Sequence, residues 1–312
     1  MNLSTVDAFK HLKSADAIEL DPDRLRQLQL TLVGIVRDIF ACCERHGLTC
    51  VVGGGTALGA VRHGGFIPWD DDVDLNLPRR DYEAFVRHFR EDYGDRYWLH
   101  TPAETKRFGL ALARVRLRGT SVRTREDLAN EQAECGAFVD LFIIENTFDN
   151  AVLRGVHGFG CMALGFLYSC RKFFFERRFV RQWAGENAAF SAVFRLKLAI
   201  GFFTAVLSLD RWVRLWDRWN ALCGNDRSRF VTIPVGRRHF WGELCSRAEM
   251  CETRDIAFEG LTVKAPAGVE SYMLRNYGSD YMTPPPAADR EKHVVFSPFV
   301  LVKTRIQRKE DK

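Results

Sequence analysis

Ile67-Pro68-Trp69-Asp70-Asp71-Asp72-Val73-Asp74-Leu75-Asn76-Leu77 is the stretch on which the fold turns. From Asp72 the alternation is strict: Asp72, Asp74 and Asn76 share one parity and Val73, Leu75 and Leu77 the other. That spacing predicts a β-strand with one polar and one apolar face. Carboxylates at i and i+2 of a strand point the same way, with Cα atoms roughly 6.5–7 Å apart. Such a pair repels itself unless a cation lies between, and hard oxygen ligands suit Mg²⁺ or Mn²⁺. A solvated acidic turn is the plainer alternative, but the apolar alternation anchors this strand in a core.

Working upstream, Asp21-Pro22 reads as an N-cap and first turn. Leu25, Leu28, Leu32, Ile35, Val36, Ile39, Phe40 and Cys43 follow at helical spacing, with Gly47 as a stop. Thr49 to Val52 is a β-branched run, broken by Gly53-Gly54-Gly55, after which Thr56 is expected to cap a short helix through Val61. Glycines between a strand and a helix let backbone N–H groups approach a phosphate, and the helix start favours an anion. A glycine turn alone often serves only as a turn. Beside an Asp pair, Gly54, Gly55 and Thr56 point to a divalent cation with a di- or triphosphate.

Downstream, Pro78 ends the strand and a helix is predicted over Asp81 to Phe89. Leu110 to Leu117 and Phe138 to Ile144 read as strands. Arg114 and Arg116 share a parity on the first and are candidates for phosphate contacts, against the reading of a solvated basic face. Asp140 sits among Phe, Val, Leu and Ile on the second, and an isolated buried carboxylate is costly, so it needs a partner. That partner is either an arginine, or a metal shared with Asp72 and Asp74; as general base Asp140 would serve the same site. Asp255 to Lys264 reads as a hairpin turning near Glu259-Gly260. No local signature suggests a Ser/His/Asp or Cys/His nucleophile.

The 312 residues, 46% apolar, suffice for a real core and exclude a disordered chain. The net charge of +5 is unevenly placed: residues 151–230 hold 13 Lys/Arg and 5 Asp/Glu, a local +8. The excess belongs to one segment, so a nucleic-acid-binding surface along the whole chain is not expected. Within that segment, 155–170 and 198–209 carry no Asp, Glu, Lys or Arg, but both runs are shorter than the ~20 residues of a spanning helix. Arg171, Lys172, Arg177, Arg178 and Arg181 flank Phe173 to Phe175, and Trp212, Trp216 and Trp219 follow. A helix on an anionic membrane surface and an ordinary helical subdomain both fit this pattern. None of the nine cysteines forms paired C-x-x-C motifs, so a structural zinc site is not expected, and Cys42-Cys43 reads as buried free thiols. The first twenty residues show no secretory pattern, which makes a reducing cytoplasmic setting the expectation, peripheral to the inner membrane face if the basic segment docks there. The basic end from Lys303 to Lys312 is expected to fray.

Together these residues resemble the LicD family, the phosphorylcholine transferases whose relatives include fukutin and the fukutin-related protein. The resemblance is carried by Gly54 to His63, by Gly65-Phe66-Ile67-Pro68-Trp69-Asp70-Asp71-Asp72-Val73-Asp74 and by Arg80-Asp81-Tyr82. Arg114-Val115-Arg116 with Thr120, and Gly136 to Phe142, add to it, as do Tyr272, Leu274, Tyr277-Gly278 and His293 near the end. The segment from Arg154 to Phe230 matches only in general character. The family in turn resembles the polymerase-β-type nucleotidyltransferases, although the sixteen residues from Thr56 to Asp71 exceed their usual spacing.

The resemblance implies an α+β fold, a nucleotidyltransferase-like mixed β-sheet flanked by helices. It implies a catalytic core over 1–150, a helical basic and aromatic insertion over 151–230 and a C-terminal part, 231–312, completing the catalytic domain. It implies Mg²⁺ or Mn²⁺ held by Asp72, Asp74 and Asp140. The expected activity moves a phospho-alcohol, chiefly phosphocholine, from a CDP-activated donor to a hydroxyl of a surface glycan such as lipopolysaccharide or teichoic acid, or of its lipid-linked precursor. Gly54, Gly55, Thr56, Arg62, Arg114, Arg116 and His293 would bind substrate. A quaternary ammonium donor would want aromatic rings, for which Trp69, Tyr82, Tyr277 and Tyr281 are eligible. Two other readings stand beside this one: a nucleotidyltransferase moving NMP from an NTP, and a catalytically silent glycan- or membrane-binding protein.

Overall fold

The computed structural model describes residues 20–130, 133–177, 188–286, 290 and 297–301. His293, Arg178, Arg181 and the basic C-terminal end lie outside them.

The long N-terminal helix α1 (Pro22–His46) starts where Asp21 accepts the Arg24 N–H at 2.9 Å and stops at Gly47, whose φ of 65° suits glycine. Strand β1 (Val51–Val52) leads into helix α2 (Gly54–His63), then strand β2 (Asp74–Pro78) and helix α3 (Arg79–Tyr93). The strand predicted from Asp72 begins two residues later, and the following helix begins directly at its end. Strands β3 (Tyr97–His100), β4 (Ala113–Leu117), β5 (Thr120–Arg123) and, after the short helix α4 (Arg125–Ala129), β6 (Phe138–Thr147) follow. The order β1-β2-β6-β4-β3 forms the main sheet, in which β2 and β6 are parallel and the other pairs antiparallel. The fold is therefore α+β with a mixed sheet, as expected.

Register explains why one sheet carries both core and site. Directly opposed residues share a face, and here Asp74 faces Asp140, Asp140 faces Arg114, and Arg114 faces His100. A polar row thus crosses four strands. On the opposite face Leu75, Leu77, Val115, Val139 and Leu141 are completely buried. Leu32, Ile35 and Ile39 of α1 and Phe85 and Phe89 of α3 belong to the same core. Completely burying each such side chain contributes about 1.5–3 kcal/mol, and this face supplies many of them.

Next come helices α5 (Ala151–Phe175), α6 (Ala188–Phe203) and α7 (Leu209–Asn220). Asn150 caps α5 by accepting the Val152 and Leu153 N–H groups. The 25-residue α5 carries the uncharged run inside a longer helix that is, by length and composition, long and apolar enough to cross a membrane. Run length alone underestimated it, because Arg154, Arg171 and Lys172 lie at the helix ends. Strand β7 (Phe230–Thr232) pairs with β6 and with β8 (Cys245–Ser246), on either side of the short helix α8 (His239–Gly242). Helix α9 (Arg247–Cys251) leads to the expected hairpin, β9 (Thr253–Phe258) with β10 (Leu261–Pro266). It turns where Glu259 and Gly260 take φ of 51° and 78°. Helix α10 (Val269–Tyr277) and strand β11 (Ser297–Leu301), paired with β5, complete the described elements.

Candidate functional site

A cavity of about 670 Å³ opens above the polar face of the sheet, a size typical of ligand pockets. It gathers Gly54, Gly55 and Arg62 from α2, and Trp69, Asp70, Asp72, Asp74 and Asn76 from the strand and its approach. Its other wall comes from the far end of the chain: Arg237, Glu243, Tyr272, Asn276, Tyr277, Asp280, Tyr281 and the run Pro284-Pro285-Pro286.

The glycines are required by side chains that approach them. Gly54 has φ of +44°, and a Cβ on it would lie 2.5 Å from the Asp74 Oδ2. A Cβ on Gly55 would lie 3.0 Å from the Asp70 Oδ2, and one on Gly53 would overlap the Asn76 amide. The turn therefore holds three side chains of the acidic strand at close range. Thr56 does not cap the helix, since Gly53 is the N-cap; its hydroxyl instead accepts the Asp74 N–H at 2.8 Å and so locks strand to helix. The Gly54 N–H donates to the Tyr272 hydroxyl at 3.0 Å, tying the glycine turn to α10. That phenol is buried, which pushes its pKa up.

The carboxylates are arranged differently from the expected trio. Asp70, Asp71 and Asp72 bring oxygens within 4.8 Å of one another. Asp72 and Asp74 both line the cavity, as the alternation requires, and Asp70 joins them. Asp140 is buried beside Asp74 in register but does not line the cavity. Arg114 grips it in two-pronged fashion, Nε to Oδ1 at 2.6 Å and Nη2 to Oδ2 at 2.8 Å, and stacks over Phe138 at 3.7 Å. The arginine-paired alternative for Asp140 is thus the arrangement present. Arg116 is completely buried and donates to Asp127, with Nη2 to Oδ1 at 2.6 Å, so it faces no cavity ligand. Parity placed both arginines on the right face but could not show what covers them.

Arg62 reaches the cavity, and its Nη1 donates to the Tyr281 carbonyl at 2.9 Å. Partial burial lowers its pKa, an effect opposed by Tyr277. Of the eligible aromatics, Trp69, Tyr277 and Tyr281 line the cavity; Tyr82 instead packs in the core with Arg79 over its ring. Two aromatic faces already carry a cation: Arg290 stacks over Trp69 at 4.0 Å and Arg237 over Tyr277 at 5.2 Å.

Two further lining residues, Asn276 and Glu243, lacked any local signal, and they meet Asn76, which the strand alternation had placed on the polar face. Asn76 and Asn276 are buried, and the Asn76 Nδ2 and Asn276 Oδ1 have no hydrogen-bond partner among the described residues. Glu243 is buried beside them, accepting from the Arg238 N–H at 3.2 Å and the Asn276 Nδ2 at 3.4 Å, and burial raises its pKa. One unused donor and one unused acceptor inside a cavity are what a ligand edge with both functions would satisfy.

Charge decides what the cavity can accept. Asp70, Asp72, Asp74, Asp280 and Glu243 line it against Arg62 and Arg237. A diphosphate would be repelled by this wall unless a divalent cation came with it. The oxygens of Asp70, Asp71 and Asp72 are close enough for hard-cation coordination after small side-chain rotations, so the residues fit such an ion.

Comparison with known proteins agrees with this layout. Residues 47–148 match the LicD/FKTN/FKRP nucleotidyltransferase domain. The lipopolysaccharide cholinephosphotransferase LicD of Haemophilus influenzae is 42% identical over 77 residues, 25% of this chain and 29% of that protein. Uncharacterized proteins of Rickettsia typhi and Rickettsia prowazekii are 31% identical over 65 residues and 36% over 52, covering 20% and 17% of this chain and 21% and 20% of theirs. The aligned stretch thus spans less than a third of each relative. The match takes in the glycine turn, the acidic strand, the arginine strand and Asp140, so residues 47–148 resemble the LicD/FKTN/FKRP nucleotidyltransferase domain.

Proposed function

We propose that the protein is a metal-dependent transferase that moves a phospho-alcohol, phosphocholine first among them, from a CDP-activated donor to a hydroxyl of a surface glycan or its lipid-linked precursor. The observation that carries this reading is the convergence, in one cavity, of the acidic strand end, the glycine-started helix and an aromatic, arginine-bearing wall. The name of the Haemophilus relative supports phosphocholine and lipopolysaccharide as the alcohol and the acceptor class.

Asp70 and Asp72 of the close carboxylate cluster, with Asp74 on the same cavity wall, would hold Mg²⁺ or Mn²⁺, which supplies neutralisation of the diphosphate charge. Arg62 adds a fixed positive charge toward the transferring phosphoryl group. Asn76 and Asn276 offer a donor and an acceptor to the nucleobase edge, and Trp69 and Tyr281 flank the alcohol. In the reaction the acceptor oxygen forms a bond to the phosphorus bearing the alcohol, the bond from that phosphorus to CMP breaks, and CMP leaves with the electron pair. The hydroxyl proton passes to a cavity carboxylate outside the metal-holding set, Asp280 or Glu243. Asp140, with both oxygens engaged by Arg114, positions the sheet rather than acting as base.

The test is product analysis with CDP-choline, a lipopolysaccharide acceptor and Mg²⁺. CMP release coupled to choline incorporation is expected, and Asp72→Asn is expected to lower turnover at least ~10³-fold with an unchanged melting temperature. Undiminished activity in that variant would remove the metal assignment. The nucleotidyltransferase name of the matched domain favours one second reading, NMP transfer from an NTP, and pyrophosphate release from CTP would select it.

We also infer that the helical segment docks on an anionic membrane surface at the cytoplasmic face. Val152, Val156 and Phe159 of α5, together with Phe202, Phe203 and Val206, are exposed in a segment of net charge +8. Co-flotation with phosphatidylglycerol vesicles, lost in high salt, is expected. No flotation at low salt would refute it.

A further inference from the structure

On the apolar side of the sheet, away from the cavity, the C-terminal turns of α1 and α3 meet. Each helix presents metal-ligating residues at i and i+4, the spacing that places two side chains on one helical face. On α1 they are Cys42 and His46, and on α3 His88 and Asp92. The His46 Nε2 lies 3.0 Å from the Asp92 Oδ2, and the His46 ring stacks on His88 at 3.9 Å with an 8° tilt. Ligand atoms of Cys42, His46 and Asp92 all fall within 4.8 Å of one another.

We propose that Cys42, His46 and Asp92 form a binding site for a thiophilic divalent cation, Zn²⁺ by its chemistry, that staples α1 to α3. The donor set combines a soft sulfur, an imidazole nitrogen and a carboxylate oxygen, which suits zinc better than Mg²⁺ or Ca²⁺. Around tetrahedral zinc such atoms lie about 3.3–3.8 Å apart, given bonds of ~2.0–2.3 Å, so the site closes by roughly an ångström. His46 and Asp92 keep 23% and 20% of their side-chain surface in solvent, which gives them room for that rotation and gives the ion an entry path. Cys42 has no exposed surface, which suits a ligand and rules out a nucleophile meeting substrate. Around these three, Arg45 donates to the Asp92 Oδ2 at 2.7 Å and His88 fixes the plane of the His46 ring. Water fills the fourth position. Binding replaces the Cys42 thiol proton with the metal and releases it to solvent, with no redox change. The sequence signal was not the paired C-x-x-C of a zinc finger but two helical i, i+4 pairs, 46 positions apart, that only the fold brings together.

Cobalt(II) titration of chelator-treated full-length protein tests the site, because only a thiolate ligand produces the sulfur-to-cobalt charge-transfer band. One equivalent of Co²⁺ is expected to raise that band together with the visible bands of a tetrahedral ion, and Zn²⁺ is expected to displace it. The band should vanish in Cys42→Ser and persist in Asp72→Asn, which separates this site from the cavity carboxylates. His46→Gln and Asp92→Asn should each weaken Co²⁺ at least tenfold. No band in the wild-type protein overturns the proposal, as does an unaltered band in Cys42→Ser, which would assign the metal to other thiols. Circular dichroism of Cys42→Ser shows whether loss of the band reflects loss of the fold; if that variant unfolds, the Asp92→Asn titration decides.

Discussion

The sheet that carries the cavity and the helices from Ala151 to Asn220 are held together in different ways. In the sheet and the elements packed on it, charged groups meet their partners at bonding distance: Asp140 with Arg114, Arg116 with Asp127, and Arg79 with Glu145. In the helices, tryptophan N–H groups reach backbone carbonyls, Trp212 to Thr204, Trp216 to Cys161 and Trp219 to His157, while Phe159, Phe203 and Val206 stand in solvent. A backbone carbonyl is supplied by any residue, whereas a buried ion pair needs two particular ones. The first region should therefore be intolerant and chemically specific, and the second adaptable in its interior and dependent on surface character.

The sharpest way to break this contrast is Arg116→Met. It strands Asp127 in the interior and is expected to cost about 3–5 kcal/mol in urea denaturation, with at least half recovered when Asp127→Asn is added. A loss below 1 kcal/mol would mean the buried pair does not hold the sheet. Gly54→Ala comes next, since its Cβ must enter the space of the Asp74 carboxylate at a positive φ. Displacing that carboxylate by about an ångström should lower turnover on the order of 10²-fold, a loss that Ala at Gly155, where nothing lies within 4 Å, should not produce.

A pH series sharpens the comparison further. His100 is buried, and burial, followed by the nearby Arg116 guanidinium, lowers its pKa to about 4. Glu134 lies 3.3 Å away but is half exposed and solvent-screened, so it does not offset them. Between pH 6.5 and 4 the unfolded chain binds this proton and the folded chain does not. Stability from His100 is thus fully present above pH 6.5 and is lost as the pH falls, by about 2 kcal/mol after discounting for screening. The slope of melting temperature against pH in that window should flatten in His100→Gln. The smallest effect on folding is expected from Phe203→Ser: within ~0.5 kcal/mol in thermal melts, yet with vesicle flotation clearly reduced.

How far the sequence could be read follows the same division. The alternation at Asp72-Val73-Asp74-Leu75 is local, so the strand, its acidic face and the glycine turn before it were legible together. Asp70 was missed as a cavity residue because it precedes the alternating run. Glu243 and Asn276 were missed because they meet Asn76 only through the return of the chain about 170–200 positions later. The fate of the two arginines was undecidable for a related reason: parity names a face, while burial depends on what Asp127 and Phe138 place over it. In the helical segment, composition correctly marked an apolar, basic region, but an uncharged run of sixteen residues did not reveal a 25-residue helix with charges confined to its ends.

The Gly54 N–H bonds to Tyr272, and Arg62 to the carbonyl of Tyr281, across separations of 218 and 219 positions. During synthesis the acidic strand and glycine turn leave the ribosome long before their opposite wall exists. A chain interrupted between residue 148 and Tyr272 would carry the whole matched domain and still hold only half a cup, open to solvent on the opposite side. Closure of the cavity is completed last, so truncated products should be recognisable by sequence yet lack its second wall.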